Sequence, residues 1–193
     1  MKTIINKILF GSFLLSLLIL GSCKKKEQAV SPPIPGNEFF TTIKWRFQNA
    51  ANAADTVWVR WYQDPSGTNP PDTSHAIATL KKNTTYKLTV HFYDETKTPI
   101  LDLTNEIAID RGNYHTYWFF KYGSLTNHVT ITTTDHDSNN PPIWIGMQDN
   151  FVTDTATCNG RIEGRLRHQP NSKNGTYAPG STDNDATFTF TIQ

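Results

Sequence analysis

The sequence predicts an all-β domain folded as an antiparallel β-sandwich of the immunoglobulin-like or Greek-key type. Three observations predict this fold. Short stretches of alternating apolar and polar residues recur from residue 39 onward. Clusters of Pro, Gly, Asn and Asp separate these stretches, and none of them has the 3.6-residue period of an amphipathic helix. A series of short strands joined by turns is typical of two packed sheets.

Alternation defines the strands of the first half of the domain. In 39–48, Ile43, Trp45 and Phe47 share one face and polar residues occupy the other, which predicts a half-buried strand. A small-residue turn leads to a second strand over 56–62, and a loop rich in Pro, Gly and Asn follows it. The next predicted strand, 85–93, places four apolar side chains inside: Tyr86, Leu88, Val90 and Phe92.

The second half continues the same pattern. The mixed segment 100–109 indicates either a short strand pair or one strand with an irregular edge. The strongly aromatic segment 114–122 is predicted to be a central strand. Polar loops over 135–142 and 169–185 separate the remaining predicted strands, which are 127–134, 143–147, 160–168 and 186–192.

Composition limits the possible partners. The chain has 193 residues, with 18 Lys and Arg against 17 Asp and Glu. This balance argues against a nucleic-acid partner, which would require a clustered basic surface. Of the two cysteines, Cys158 is predicted to be a small buried residue near a turn, the alternative being a reactive thiol.

The N-terminus carries the most specific motif. Lys2 and Lys7 precede an apolar run over 8–20 that is too short for a membrane span but fits the core of a signal peptide. Leu20-Gly21-Ser22-Cys23 then resembles the lipobox of bacterial lipoproteins. The resemblance implies that residues 1–22 are a signal peptide and that Cys23 receives palmitate-type acyl chains. Two or three such chains anchor a protein stably to a membrane.

A tether is predicted to join this anchor to the domain. Residues 23–37 contain Lys24 to Lys26, which either contact anionic headgroups or act as a sorting signal, followed by a Pro-rich extended stretch. The β-sandwich domain is then 38–193. We expect the protein to be lipid-anchored in the cell envelope, at the periplasmic or surface face of the outer membrane.

Several segments resemble small lipoproteins of Bacteroidota in the same order along the chain. These segments are Asn37–Thr42, Asn83–Val90, Val129–Asn140, Leu166–Pro170, Lys173–Gly175 and Thr182–Asp185, followed by a final strand to Gln193. The resemblance covers most of the chain after the signal. It implies an envelope lipoprotein with a single domain and no particular activity.

One strand face is a candidate glycan-binding surface. Trp58, Arg60 and Tyr62 share one side of the second strand. Aromatic rings in a row can stack on sugars while the guanidinium binds their hydroxyl groups. The alternative is a second buried face covered by a loop or by the other sheet, which suits large aromatic residues equally well.

One loop is a weak candidate for calcium, and no other cofactor is predicted. Asp135, Asp137 and Asn139 supply oxygen atoms at alternate positions, and Asp183 and Asp185 can add ligands from another loop. The positions that would need Gly and Glu in an EF-hand are occupied by other residues. The favoured alternative is a solvated turn in which these side chains bond their own backbone.

The remaining motifs indicate no catalytic constellation. The six histidines form no close zinc-binding pattern, although His115 and His128 can meet if their strands pair. Thr56 and Thr155 lie in short Asp-Thr-aliphatic motifs that resemble O-glycan acceptor sites of exported Bacteroidota proteins. We therefore expect a non-catalytic binding or structural lipoprotein that contacts a glycan or an envelope protein. The alternatives are an envelope or polysaccharide hydrolase and a calcium-stabilised adhesion module.

Overall fold

The structure is a computed structural model that describes residues 38–193. The predicted signal peptide, the lipidation site Cys23 and the tether therefore lie outside the described residues. None of the helices within 38–193 is long and apolar enough to cross a membrane. The predicted all-β sandwich is confirmed, because strands in two sheets enclose one hydrophobic core.

The first sheet contains six strands, all paired antiparallel. Its order is β2-β1-β4-β8-β7, with the two-residue β5 beside β4. The strands are β1 (Thr42–Asn49), β2 (Thr56–Tyr62), β4 (Thr85–Asp94), β5 (Leu101–Asp102), β7 (Val129–Thr133) and β8 (Gln148–Thr153).

The second sheet contains four strands in the order β3-β10-β9-β6. They are β3 (Ile77–Leu80), β6 (His115–Gly123), β9 (Cys158–His168) and β10 (Ser181–Ile192). β3 runs parallel to β10, whereas the other pairs are antiparallel. The aromatic β6 lies at the edge of this sheet, so the prediction of a central strand there is wrong. Its aromatic side chains pack against the loops and the opposite sheet rather than between two neighbouring strands.

Two predicted strands are replaced by other structure. The mixed segment 100–109 forms only β5 and a π-helical turn, Glu106–Asp110. The segment 143–147 forms only an isolated bridge at Trp144, because carboxylates occupy its backbone donors. The Asp137 carboxylate accepts a hydrogen bond of 2.8 Å from the Ile143 N–H. The Asp135 carboxylate accepts hydrogen bonds from the N–H groups of Gly146 and Met147.

Trp45 lies at the centre of the core between the two sheets. Its indole is fully buried and contacts rings of β1, β6 and β10. The Trp45 Nε1 donates a hydrogen bond of 3.1 Å to the Tyr117 hydroxyl, which satisfies both groups away from water. Gly164 makes room for this contact, since a Cβ there would stand 2.1 Å from the Tyr117 hydroxyl. Cys158 is also buried, as predicted.

One buried carboxyl group makes the stability of the fold sensitive to pH. Burial raises the pKa of Asp149 to about 7, opposed by a hydrogen bond from Thr133 and reinforced by the nearby Asp135. The folded chain thus holds this proton more tightly than the unfolded chain. The stabilisation is complete below pH 4 and is lost as the pH rises through 7.

We therefore expect Asp149→Asn to flatten the pH dependence of unfolding. Thermal melts of the wild type should lose several degrees between pH 5 and pH 8, while the variant, which cannot ionise, should lose less. Asp110→Asn, at an exposed carboxyl, is the matched control and should behave like the wild type. Parallel profiles for wild type and Asp149→Asn would contradict the assignment.

Candidate functional site

The outer face of β2 carries the residues predicted to bind glycans. Trp58, Arg60 and Tyr62 point away from the core because Val59 and Trp61 point into it. The Trp58 side chain is 50% exposed, which is unusual for so large an apolar ring. The face is therefore open at Trp58 rather than covered by the opposite sheet.

Arg60 and Tyr62 are less accessible than the sequence suggests. The Arg60 guanidinium donates to Glu95 at 2.7 Å and lies 3.6 Å from the Asp72 carboxylate. It also covers the Tyr62 ring, with Cζ 4.7 Å from the ring centroid. These contacts hold Arg60 in place and leave Trp58 as the accessible member of the predicted set.

An open groove begins at Trp58 and has a volume of about 490 Å³. Its second apolar wall is Ile77 of β3, which is 65% exposed. We call it the Trp58 groove, and it is lined by Lys44, Trp58, Val59, Arg60, Ser74, His75, Ile77 and Tyr93. A concave site of this size with apolar walls and a few polar groups is typical of ligand binding.

A row of aromatic rings crosses the neighbouring strands beside the groove. The His91 ring lies 5.3 Å from Trp58, and Tyr93 lies 6.3 Å from His91 at an angle of 11°. Both residues belong to β4, which reaches β2 only through β1. Sequence reasoning missed them because the register of three strands decides which rings become neighbours.

Positive charge surrounds this row. Lys44 Nζ lies 4.8 Å from the Tyr93 ring centroid, and Arg46 Cζ lies 5.8 Å from that of Trp58. Burial lowers the pKa of His91, the charges of Arg46 and Lys44 lower it further, and the Asp102 carboxylate opposes them. The row thus has two cations over its rings and one carboxylate nearby.

The predicted calcium ligands are engaged in contacts with the protein itself. Asp137 is fully buried and binds Lys173 Nζ at 2.8 Å, with Lys173 itself only 1% exposed. The Asn139 amide donates to Asp137, while Asp135 accepts backbone N–H groups. The side-chain oxygens of Asp135 and Asp137 thus stabilise a turn and a buried ion pair. Asp185 is exposed on β10.

Asp183 instead joins a buried cluster that sequence reasoning missed. Its partners are Glu38, His115 and His168, and the ligand-type atoms of all four lie within 4.8 Å of one another. Burial and the neighbouring Glu38 raise the pKa of Asp183, whereas contacts with His115 and Arg111 outweigh burial and lower that of Glu38. His115 and His128, which the sequence allowed to meet if their strands paired, have other partners.

The sheet register explains these partners. His115 pairs with His168 across β6 and β9. His128 lies in a single helical turn, Leu125–His128, and its Nδ1 lies 2.7 Å from the Asp154 carboxylate.

The two threonines of the predicted O-glycan motifs differ in exposure. Thr155 is exposed in the loop between β8 and β9. Thr56 is half-buried at the start of β2, and its hydroxyl donates to the Ala53 carbonyl at 2.9 Å. Thr155 is therefore the more accessible of the two.

Comparison with known proteins provides no family for the chain. No family model, no curated protein and no solved structure matches it. The basis for a functional proposal is thus the chemistry of the residues described above.

Proposed function

We propose that this protein is a lipid-anchored protein of the bacterial cell envelope whose β-sandwich binds an acidic glycan in the Trp58 groove without catalysing a reaction. The half-exposed Trp58 at the mouth of an open groove carries the proposal. Exposing such a ring to water has a free-energy cost, which binding of a ligand against it removes. The lipobox-like Leu20–Cys23 supports the anchor.

The chemistry of the groove favours a carbohydrate with carboxylate groups. A sugar ring presents an apolar face that can stack on Trp58, while its hydroxyl groups can bond His75 and Ser74, both exposed in the groove wall. Lys44 and Arg46 add positive charge along the same face. A uronic acid combines all three features in one unit.

A non-catalytic role agrees with the contacts of the polar groups. A hydrolase needs two titratable groups that face the substrate together. Arg60 is held by Glu95 and Asp72, and the Ser74 hydroxyl donates to Asp72 at 2.6 Å. These groups stabilise the groove wall rather than forming a paired acid and base.

Binding to defined oligosaccharides tests the proposal. Titration calorimetry of the full chain in detergent should detect uronic-acid oligosaccharides in preference to neutral hexose oligosaccharides of equal length. Trp58→Ala should weaken binding by about tenfold or more, because a central aromatic contact is lost. Added salt should weaken binding of the acidic ligands, since exposed charges are screened.

Val152→Ala is the matched control. Val152 is also an exposed apolar residue on the outer face of the first sheet, but it lies on β8, outside the groove. This variant should bind like the wild type. Equal affinities for wild type and Trp58→Ala, or no binding to either class of oligosaccharide, would refute the proposed function.

A further inference from the structure

Three strands and the segment before β1 place four ionisable side chains in one buried cluster. His115 begins β6 and pairs directly with His168, the last residue of β9. Asp183 lies on β10, and Glu38 lies four residues before β1. All four side chains are at most 3% exposed. Polar groups buried this deeply need partners that satisfy them.

A β-bulge directs Asp183 into this cluster. On β10 the even-numbered residues from Ala186 to Ile192 are buried, so an undisturbed strand would turn position 183 outward. The register against β9 shifts between Thr182 and Asn184, and Asp183 is the extra residue. Bulges of this kind often redirect a side chain beside a functional site.

The hydrogen-bond partners of His115 decide which of its ring nitrogens carries the hydrogen. Its Nδ1 lies 3.0 Å from the Arg111 carbonyl oxygen, which can only accept, so Nδ1 carries a hydrogen. In a neutral ring Nε2 then presents a lone pair. That Nε2 lies 2.9 Å from Glu38 Oε2. Two acceptors this close require a cation between them, either a proton or a metal ion.

The Asp183 carboxylate is buried without a donor that satisfies it. Its side chain is 0% exposed, and within residues 38–193 neither carboxylate oxygen accepts a hydrogen bond from an N–H group. The Glu38 carboxyl group faces it and can bond it only through a shared proton. Its Oδ2 lies 3.8 Å from His115 Nε2 and 3.8 Å from His168 Nδ1. The carboxylate therefore faces both imidazoles at distances too long for hydrogen bonds.

The negative charges of the cluster also outnumber the positive ones in contact with it. Arg111 is the cation in direct contact, and it is shared between Glu38 at 2.6 Å and Glu106 at 3.2 Å. Arg167 donates instead to the Thr182 hydroxyl and to the carbonyls of residues 178–180. With neutral imidazoles, the two carboxylates of the cluster, Glu38 and Asp183, face one guanidinium that Glu106 shares, and a divalent cation would offset the excess of negative charge.

We propose that Glu38, His115, His168 and Asp183 form a closed structural site for a divalent transition-metal ion, Zn²⁺ in the first place. Two imidazoles and two carboxylates are a donor set that suits zinc, whereas Ca²⁺ requires more oxygen ligands. Bonds of about 2.0–2.1 Å in a tetrahedron separate ligand atoms by about 3.4 Å. The separations of 2.9 and 3.8 Å lie on either side of this value, and because the four ligand atoms lie within 4.8 Å of one another, the longer separations must shorten around an ion.

The atoms of His115 and Glu38 that would not bind the ion make the hydrogen bonds that are common around zinc sites. Ligating histidines commonly donate their other N–H to a carbonyl, as His115 does to Arg111. Arg111 Nη1 donates a hydrogen bond to Glu38 Oε1, so the other carboxylate oxygen, Oε2, is the one that would bind the ion. The ion would bind the segment before β1 to three strands of the second sheet and so fix the start of the domain.

Metal analysis and calorimetry of the full chain in detergent test this site. We expect one zinc ion per chain after equilibration with ZnCl₂ and removal of excess metal. The melting temperature should rise with ZnCl₂ and fall with a chelator, because an ion bound only by the folded state stabilises it. Co²⁺ in place of Zn²⁺ should give the visible absorption of a tetrahedral complex.

His168→Gln and Asp183→Asn should lose the bound ion and the response to chelator. His128→Gln, which removes a histidine paired with Asp154 outside the cluster, is the control and should keep both. If a ligand variant fails to fold, the stoichiometry and the Co²⁺ spectrum of the wild type still decide. A wild type that binds no zinc and melts identically with ZnCl₂ and chelator would overturn the proposal and assign the cluster to shared protons.

Discussion

Replacing Trp45 with alanine is expected to lower the free energy of unfolding by about 4 kcal/mol, since removal of a buried aromatic residue leaves a large cavity. The indole is fully buried and contacts aromatic rings from both sheets, among them Phe47 of the first and Phe190 of the second. Its loss also leaves the Tyr117 hydroxyl without the Nε1 donor. Urea unfolding followed by circular dichroism measures the change.

Trp58→Ala is the matched control for this substitution. The two tryptophans lie on neighbouring strands, but Trp58 is 50% exposed and faces water. Its removal should lower the free energy of unfolding by about 1 kcal/mol, because half of the ring is already in water. Comparable losses for the two variants would mean that Trp45 is not the residue that joins the two sheets.

Residue alternation predicted which side chains would be inside, but not how the strands would pair. The pattern of β1 placed Trp45 in the core, and the structure confirms it. The pattern of β2 put Trp58 on the face opposite Val59 and Trp61 but left open whether that face is covered, and the structure shows it exposed at Trp58. The strand at Gln148–Thr153 was missed because its alternation is formed by Asp149, Phe151 and Thr153, of which only Phe151 is apolar. Pairing and strand order depend on contacts between distant segments, which local patterns do not contain.

The same limit applies to the candidate sites. Trp58 could be predicted from its own strand, whereas His91 became its neighbour through the register of β1 with β4. The cluster of Glu38 and the two histidines depends on pairing across β6 and β9. The bulge that turns Asp183 inward has no local signal in the sequence.

Replacing Lys173 with methionine is expected to lower the free energy of unfolding by about 3 kcal/mol, because it strands the buried Asp137 carboxylate without its cation. Lys173 Nζ lies 2.8 Å from Asp137 and also donates to the Gly112 carbonyl at 2.8 Å. It thereby joins the loop before β10 to two other segments. Backbone N–H groups of Asn139 and Ile143 still reach Asp137 and limit the loss.

A double-mutant cycle measures the interaction energy between Asp137 and Lys173 separately from the contacts that each makes with other residues. Asp137→Asn combined with Lys173→Met should cost less than the two single changes together, since no buried charge then remains unpaired. Strict additivity in urea unfolding would show that Lys173 acts through packing alone.

Lys81→Met is the control that isolates the effect of burial. Lys81 lies 2.8 Å from Asp55, the same distance as in the buried pair, but Lys81 is 66% exposed. Water screens this pair and already solvates both ions, so its loss should leave the urea midpoint nearly unchanged. Because the two pairs share one distance, a large difference between Lys173→Met and Lys81→Met can come only from burial and the contacts that accompany it. The Asp137 loop then owes its shape to a buried cation from the protein itself, Lys173, which binds one of the carboxylates that the sequence had suggested as a calcium ligand.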